Sequence, residues 1–239
     1  MGSTNGHCIA NQSFLCSQSP DVLVLLGRML ISESALELSR SLIAVSSVCV
    51  SIRDALQPLL AEQRDTWRAV DALCTKMRTP VSTLPAAAKL DWPKRGMVDE
   101  DVALLVKIIA SGALKQLKVV ILFGNKISDS GMQMLASAVA MGSLEQVKGL
   151  YLGGNLISDA GIKAFASAVT SSKRLGQLQS ISFRLNKFGD AGIAALTAAV
   201  TSGAMASLSR IHIRLGFPEG QCTLSELEKA CASRRINLS

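Results

Sequence analysis

Three aspartates recur along this chain at almost constant spacing, Asp129, Asp159 and Asp190, and a row of carboxylates is one arrangement that holds a hard cation. Their setting argues against that chemistry. Each stands in one recurring string, Asn125-Lys-Ile-Ser-Asp-Ser-Gly131, Asn155-Leu-Ile-Ser-Asp-Ala-Gly161 and Asn186-Lys-Phe-Gly-Asp-Ala-Gly192, directly ahead of an apolar helical pattern. A carboxylate placed there faces the positive end of a helix dipole, which is reason enough for its repetition. The six cysteines (Cys8, Cys16, Cys49, Cys74, Cys222, Cys231) contain no Cys-x-x-Cys pair, and His7 and His212 are the only histidines. Neither a zinc site nor a disulfide framework is indicated. Cys49 and Cys74 fall on apolar helical faces, the setting of a packed thiol rather than a nucleophile. No glycine-rich phosphate loop, G-x-S-x-G, H-E-x-x-H or spaced pair of acids occurs. The reading is of no enzyme, no cofactor and no bound metal. The side chains left to do chemistry are those that make contacts. They are Ile121, Phe123 and Tyr151 as apolar anchors, with Arg184, Arg210, His212 and Arg214 as a basic group.

What brings these residues to one surface is a repeat. Asn125, Asn155 and Asn186 follow one another at 30 and 31 residues. Each is preceded by apolar residues eight, five and three positions earlier: Leu117, Val120, Leu122; Val147, Leu150, Leu152; Leu178, Ile181, Phe183. A fourth copy reads Leu208, Ile211, Ile213, with Gly216 in the asparagine position. A degenerate first copy reads Ala87, Leu90, Trp92 ahead of Arg95, for about five strands in all. A fixed period of this size specifies a solenoid, because one unit cannot bury its own apolar face. Within a unit, the last two apolar residues point to one side of a short strand. Ile127, Ile157 or Phe188 then tucks under a turn, and Ser128 or Ser158 is placed to cap a helix. Offsets of three, four and seven carry the helix onward: Met132, Leu135, Ala136, Val139; Ile162, Phe165, Ala166, Val169; Ile193, Leu196, Val200. A last helix is expected from Thr223 or Ser225 through Cys231.

The string L-x-x-L-x-L-x-x-N followed by a helix, with N-x-I-x-D-x-G after the strand, resembles the leucine-rich repeat, and within that family the ribonuclease-inhibitor-like class. The resemblance implies an α/β leucine-rich-repeat solenoid, with short parallel strands on the concave face and helices on the convex face. It also implies that the amides of Asn125, Asn155 and Asn186 bond to backbone groups of the turns and form a ladder along the stack. With the apolar strand residues facing the core, positions six, four and two before the asparagine project onto the sheet face. The first column reads Lys89, Val119, Gly149, Ser180, Arg210; the second Asp91, Ile121, Tyr151, Ser182, His212; the third Pro93, Phe123, Gly153, Arg184, Arg214. An apolar, aromatic patch (Val119, Ile121, Phe123, Tyr151) is therefore expected early on the face and a basic patch (Arg184, Arg210, His212, Arg214) late on it. That is the composition of a protein-binding surface.

Residues 1 to 80 carry seven basic and seven acidic side chains, so the whole net charge of +7 belongs to the repeat half. An acidic protein segment is the partner expected. Nucleic acid is disfavoured, because basic residues are spread over the helices too and no aromatic platforms are interleaved with them. The apolar runs Val22 to Ile31 and Leu42 to Ile52 are too short to span a bilayer, and no basic stretch leads them as in a signal peptide. No membrane association is expected, and the compartment read is cytoplasmic or nuclear.

The organisation read from the chain is a polar tail over 1–18, an all-helical domain or cap over 19–78, a turn-rich linker over 79–88, and a repeat domain with its C-terminal cap over 89–239. Helices are expected from Ser19-Pro20-Asp21, from about Ser34 to Leu42, from about Val45 to Leu60, and from Ala61 to Met77. Within residues 20–56, the string Pro20-Asp-Val-Leu-Val-Leu-Leu-Gly-Arg-Met-Leu30 followed by Val45-Ser-Ser-Val-Cys-Val-Ser-Ile-Arg53 resembles an F-box. That resemblance implies docking to the Skp adaptor of a cullin ubiquitin ligase, with the repeats selecting substrate. The plain reading of the same stretch is a cap closing the solenoid. The functional reading is a non-catalytic protein-interaction module, with a ubiquitin-ligase substrate receptor and a structural subunit of a large assembly as alternatives.

Overall fold

The computed structural model describes residues 50–213 and 221–239. The tail over 1–18, the helices expected before residue 45, most of the F-box-like stretch, and Arg214 lie outside the described residues. The chain divides between Asp71 and Ala72, and the repeats belong to the second unit, Ala72–Ser239.

Helix α1 (Val50–Met77) is one continuous helix where the sequence reading breaks it near Leu60. Pro58 lies inside it, but Leu59-Leu-Ala-Glu-Gln-Arg64 directly after is made of strong helix formers and contains neither a capping residue nor a glycine, so the helix continues past the proline. At its end, Leu73, Cys74 and Met77 are buried. Arg78 turns the chain with a left-handed φ of 55°, and the N–H of Thr79 closes on the Cys74 carbonyl at 2.9 Å. The proline-rich joint expected over 79–88 contains a 3-10 helix, Val81–Ala86, that buries Leu84.

Among the described residues six strands follow, all parallel and in sequence order: β1 (Lys89–Asp91), β2 (Val119–Ile121), β3 (Gly149–Tyr151), β4 (Ser180–Ser182), β5 (Arg210–His212) and β6 (Asn237–Leu238). Between them run α2 (Asp99–Ala110), α3 (Asp129–Ala140), α4 (Asp159–Ser172), α5 (Asp190–Thr201) and α6 (Gln221–Ser233). The middle residue of each of the first five strands, Leu90, Val120, Leu150, Ile181 and Ile211, is at most 2% exposed. Parallel strands stack at about 4.8 Å and packed helices at about 8–10 Å. The helical side of the stack is therefore the longer one, and the sheet takes the concave side.

The sixth strand is an addition to the five counted in the sequence. Leu238 pairs with Ile211, and the Ser239 carbonyl accepts from the N–H of Ile213 at 2.9 Å. Only two residues of it pair, too few for alternation to mark a strand. The extra residue of the 31-residue unit is absorbed at the end of α4, which has 14 residues against 12 in α3 and α5 and closes on Lys173 with φ 54°. Every strand after it stays in register.

Small residues let the helices approach. Ala136, Ala138, Ala166 and Ala199 are buried between neighbouring units. The bulk is supplied where Phe165 of α4, Phe183 after β4 and Phe188 of the following turn meet edge to face with ring centres 5.6 and 6.3 Å apart.

Candidate protein-interaction face

Strands β2, β3 and β4 are each followed by an asparagine whose amide works in two repeats at once. Asn125 Oδ1 accepts the N–H groups of Arg95 and Met97, both at 3.0 Å, and its Nδ2 donates to the carbonyls of Trp92 at 2.9 Å and Leu122 at 3.0 Å. Asn155 accepts from Ile127 N at 3.2 Å and donates to Leu122 and Leu152; Asn186 accepts from Ile157 N at 3.1 Å and donates to Leu152 and Phe183. All three are buried, and an amide buried there without partners would oppose folding. The chain leaves every strand in the same direction, and residues two before each asparagine come out in one row.

A second ladder lies one turn further on. The sequence reading makes the recurring aspartates helix-start acids. Asp99, Asp129, Asp159 and Asp190 do begin their helices, and Ser128 and Ser158 do cap theirs. They also reach across repeats. Asp99 accepts from the backbone and hydroxyl of Ser128. Asp129 accepts from Ser158 N at 2.7 Å, Ser158 Oγ at 2.5 Å and Gly161 N at 3.0 Å. Asp159 accepts from Gly189 N at 2.8 Å and Gly192 N at 2.7 Å. Desolvation by burial on its own raises the pKa of Asp129, but the Ser158 and Gly161 hydrogen bonds outweigh it and hold the carboxyl below the ordinary value of 3.8. These oxygens are committed to backbone. Among the described residues no cluster of His, Cys, Asp and Glu is arranged to hold a metal ion.

The strand pairing sets the face out in columns. Lys89, Val119, Gly149, Ser180 and Arg210 are consecutive partners, as are Asp91, Ile121, Tyr151, Ser182 and His212. Val119, Ile121, Phe123 and Tyr151 are half-buried and adjoin across β2 and β3, while Arg184 and Arg210 are exposed beyond them. The bare positions Gly149 and Gly153 lie under the aromatic rings. A Cβ on Gly149 would meet the Tyr151 ring at 3.0 Å, and one on Gly153 would meet Phe123 at 3.0 Å. On β1, Lys89 Nζ is 2.6 Å from Asp91 Oδ2, which closes the charge at that edge. His212 is half-buried, with its Nδ1 2.5 Å from Ser239 Oγ, so its ring is engaged by the residue following β6. The cationic character of the described face comes from the two arginines.

The "Leucine Rich repeat" family model matches residues 115–136, which run from the approach to β2 into α3. Residues 115–136 match a leucine-rich repeat, and the units around Asn155 and Asn186 repeat its strand, turn and helix. Among solved structures, an internalin from Listeria monocytogenes is similar at 16% identity, with a TM-score of 0.37, over 65% of this chain and 45% of that one. The chain thus spans less than half the length of that protein. No curated protein matches by sequence. No described helix is long and apolar enough to cross a membrane.

Set in leucine-rich-repeat register, two surface residues stand out that the sequence reading passed over. The position just before the asparagine is Lys94, Gly124, Gly154 and Leu185, all with left-handed φ between 54° and 71°. The position just after it is Gly96, Lys126, Leu156 and Lys187. Leu185 and Leu156 are 49% and 42% exposed. Their signal is departure from the repeat's own usage, a leucine where neighbouring repeats have glycine or lysine.

Proposed function

We propose that these leucine-rich repeats form a non-catalytic protein-binding module whose concave strand face takes an acidic protein partner. The observation that carries the reading is one surface on which half-buried Ile121, Phe123 and Tyr151 adjoin exposed Arg184 and Arg210, the pairing of apolar anchor and arginine that interfaces favour. The Phe123 and Tyr151 rings rest on glycines, so they are pre-positioned and lose little rotamer freedom on binding. The net charge of +7, all of it in the repeat half, steers an acidic partner toward this domain. Units of about 30 residues with a full helix each support the ribonuclease-inhibitor-like class of the repeat.

The test is affinity capture from native extract with wild type and with the Tyr151→Ala/Arg184→Ala double variant. Both residues are surface positions, so the variant is expected to fold and to lose the partner that wild type retains. Retention of every wild-type partner by a folded double variant would overturn the reading.

A further inference from the structure

We infer that binding extends off the strand face onto the rim at the C-terminal ends of β2 to β4, where Leu156 and Leu185 seat bulky apolar side chains of an extended acidic segment. This deepens the protein-binding reading above and rests on it. Leu185 is the sharpest feature of the rim. Its left-handed φ of 55° is a conformation unfavourable for a residue with a Cβ, and its neighbours in the same column, Gly124 and Gly154, avoid that cost. It also leaves half of a leucine in water. A strained and exposed apolar residue, at a position the repeat otherwise gives to glycine or lysine, points to a contact made outside the chain.

The surroundings define the kind of contact. Gly153 and Gly154 lie between Phe123 and the Arg184–Leu185 backbone: a Cβ on Gly153 would come 3.0 Å from Phe123 and 3.1 Å from the Arg184 carbonyl. Between the apolar side chains of β2 and β3 and the rim leucines stand only small residues, buried Gly153 and half-buried Gly154. Lys126 and Lys187 are exposed in the column of Leu156, and Arg184 is exposed beside Leu185. Two helix-start carboxylates behind the rim, Asp129 and Asp159, are held by backbone N–H groups of the next repeat. Apolar anchors ringed by uncommitted cations fit a segment that alternates bulky apolar and acidic side chains.

The repeat itself supplies clean variants. Leu185→Gly and Leu156→Lys restore the residues that equivalent positions already carry, so neither demands anything new of the fold. A phage-displayed library of random 12-residue peptides is selected on the full chain, and an enriched peptide is titrated by fluorescence anisotropy. Enriched peptides are expected to place Asp or Glu beside Leu, Phe or Trp, and to bind the Leu185→Gly/Leu156→Lys variant at least about tenfold more weakly, as loss of a buried leucine contact implies. Thermal unfolding of that variant is expected at or above the wild-type temperature, which separates a contact role from a packing role. Peptides lost with Tyr151→Ala but indifferent to the rim variant would overturn the rim inference and leave the strand-face reading standing. Enrichment of no peptide, or of peptides indifferent to both variants, would overturn both.

Discussion

Oδ1 of Asp129 accepts the N–H of Gly161 from the following repeat at 3.0 Å, and a Cβ added to Gly161 would lie 2.6 Å from that same oxygen. The D-x-G string is therefore one interaction written across two repeats. The aspartate of each unit needs the glycine of the next. Asp99 stands to Gly131, and Asp159 to Gly192, in the same close approach, at 2.5 and 2.8 Å from the corresponding Cβ position.

Gly161→Ala tests this directly, because two effects of opposite sign compete. Alanine in place of glycine in a helix gains about 1 kcal/mol from propensity. The added methyl, however, meets Asp129 Oδ1 at 2.6 Å, Ile157 Cγ2 at 2.8 Å and Met132 Cβ at 3.2 Å, so it cannot be relieved by moving a single flexible end. Overpacking of this kind costs about 1–3 kcal/mol. We expect a net loss of about 1 kcal/mol from the difference of the two, read as a lower midpoint in urea unfolding. A midpoint equal to or above wild type would contradict the ladder.

Gly189→Ser should act in the other direction. Gly189 holds the N-cap position of α5 with no side-chain cap, while Ser128 and Ser158 fill the equivalent positions, and open space surrounds a Cβ there. Serine would cap α5 and offer its hydroxyl to Asp159, as Ser158 does to Asp129. A gain of about 0.5 kcal/mol is expected from the cap. It would be measured as a raised unfolding temperature.

Asn155→Ala removes an amide that satisfies groups in two repeats. Ile127 N loses its acceptor at 3.2 Å, and the Leu122 and Leu152 carbonyls lose donors at 3.0 and 2.9 Å, all within buried turns. Each buried group left unpaired costs about 1–3 kcal/mol. The Leu122 and Leu152 carbonyls keep Asn125 and Asn186 as donors, so the expected loss is the about 1–3 kcal/mol of the orphaned Ile127 N–H, and it should appear as earlier hydrogen exchange at Ile127 and its neighbours on both sides. Exchange confined to one repeat would show that the amide is not shared.

Asp129 also predicts an acid response. Its folded pKa is lowered, so the stability it contributes is complete above the ordinary value near 3.8 and is lost as pH falls through the lower folded value. Asp129→Asn should therefore be less stable than wild type at neutral pH, with the gap in urea midpoint narrowing as pH falls below about 4. A gap independent of pH would assign the loss to shape alone.

The period of the chain was enough to fix its architecture in advance of any coordinates. When a strand, a turn and a helix recur at 30 and 31 residues, stacking by simple translation forces equivalent residues beside one another. Hence Val119 opposite Gly149, and Ile121 opposite Tyr151, could be read from counting alone. Helix starts were legible for the same reason, since capping chemistry is local. Where periodicity was absent the reading was weaker. The two-residue strand β6 offers no alternation to detect, and α1 runs unbroken through Pro58, a residue whose local signal is to stop a helix.

Contacts between repeats were decided only in three dimensions. No counting shows that Asp129 turns from its own helix to the next repeat's turn, because that choice depends on the space left by Gly161. Nor does composition show that Phe123 lies over Gly153, or that Lys94 crosses Gly124, whose Cβ would meet its Cγ at 2.8 Å. Side chains choose rotamers by what surrounds them, and those surroundings come from the neighbouring unit. The sequence by itself determined the repeat, its register and the columns of the face. Tertiary structure decided which of those side chains lean on glycine, which are tied to backbone, and which, like Leu185, remain exposed.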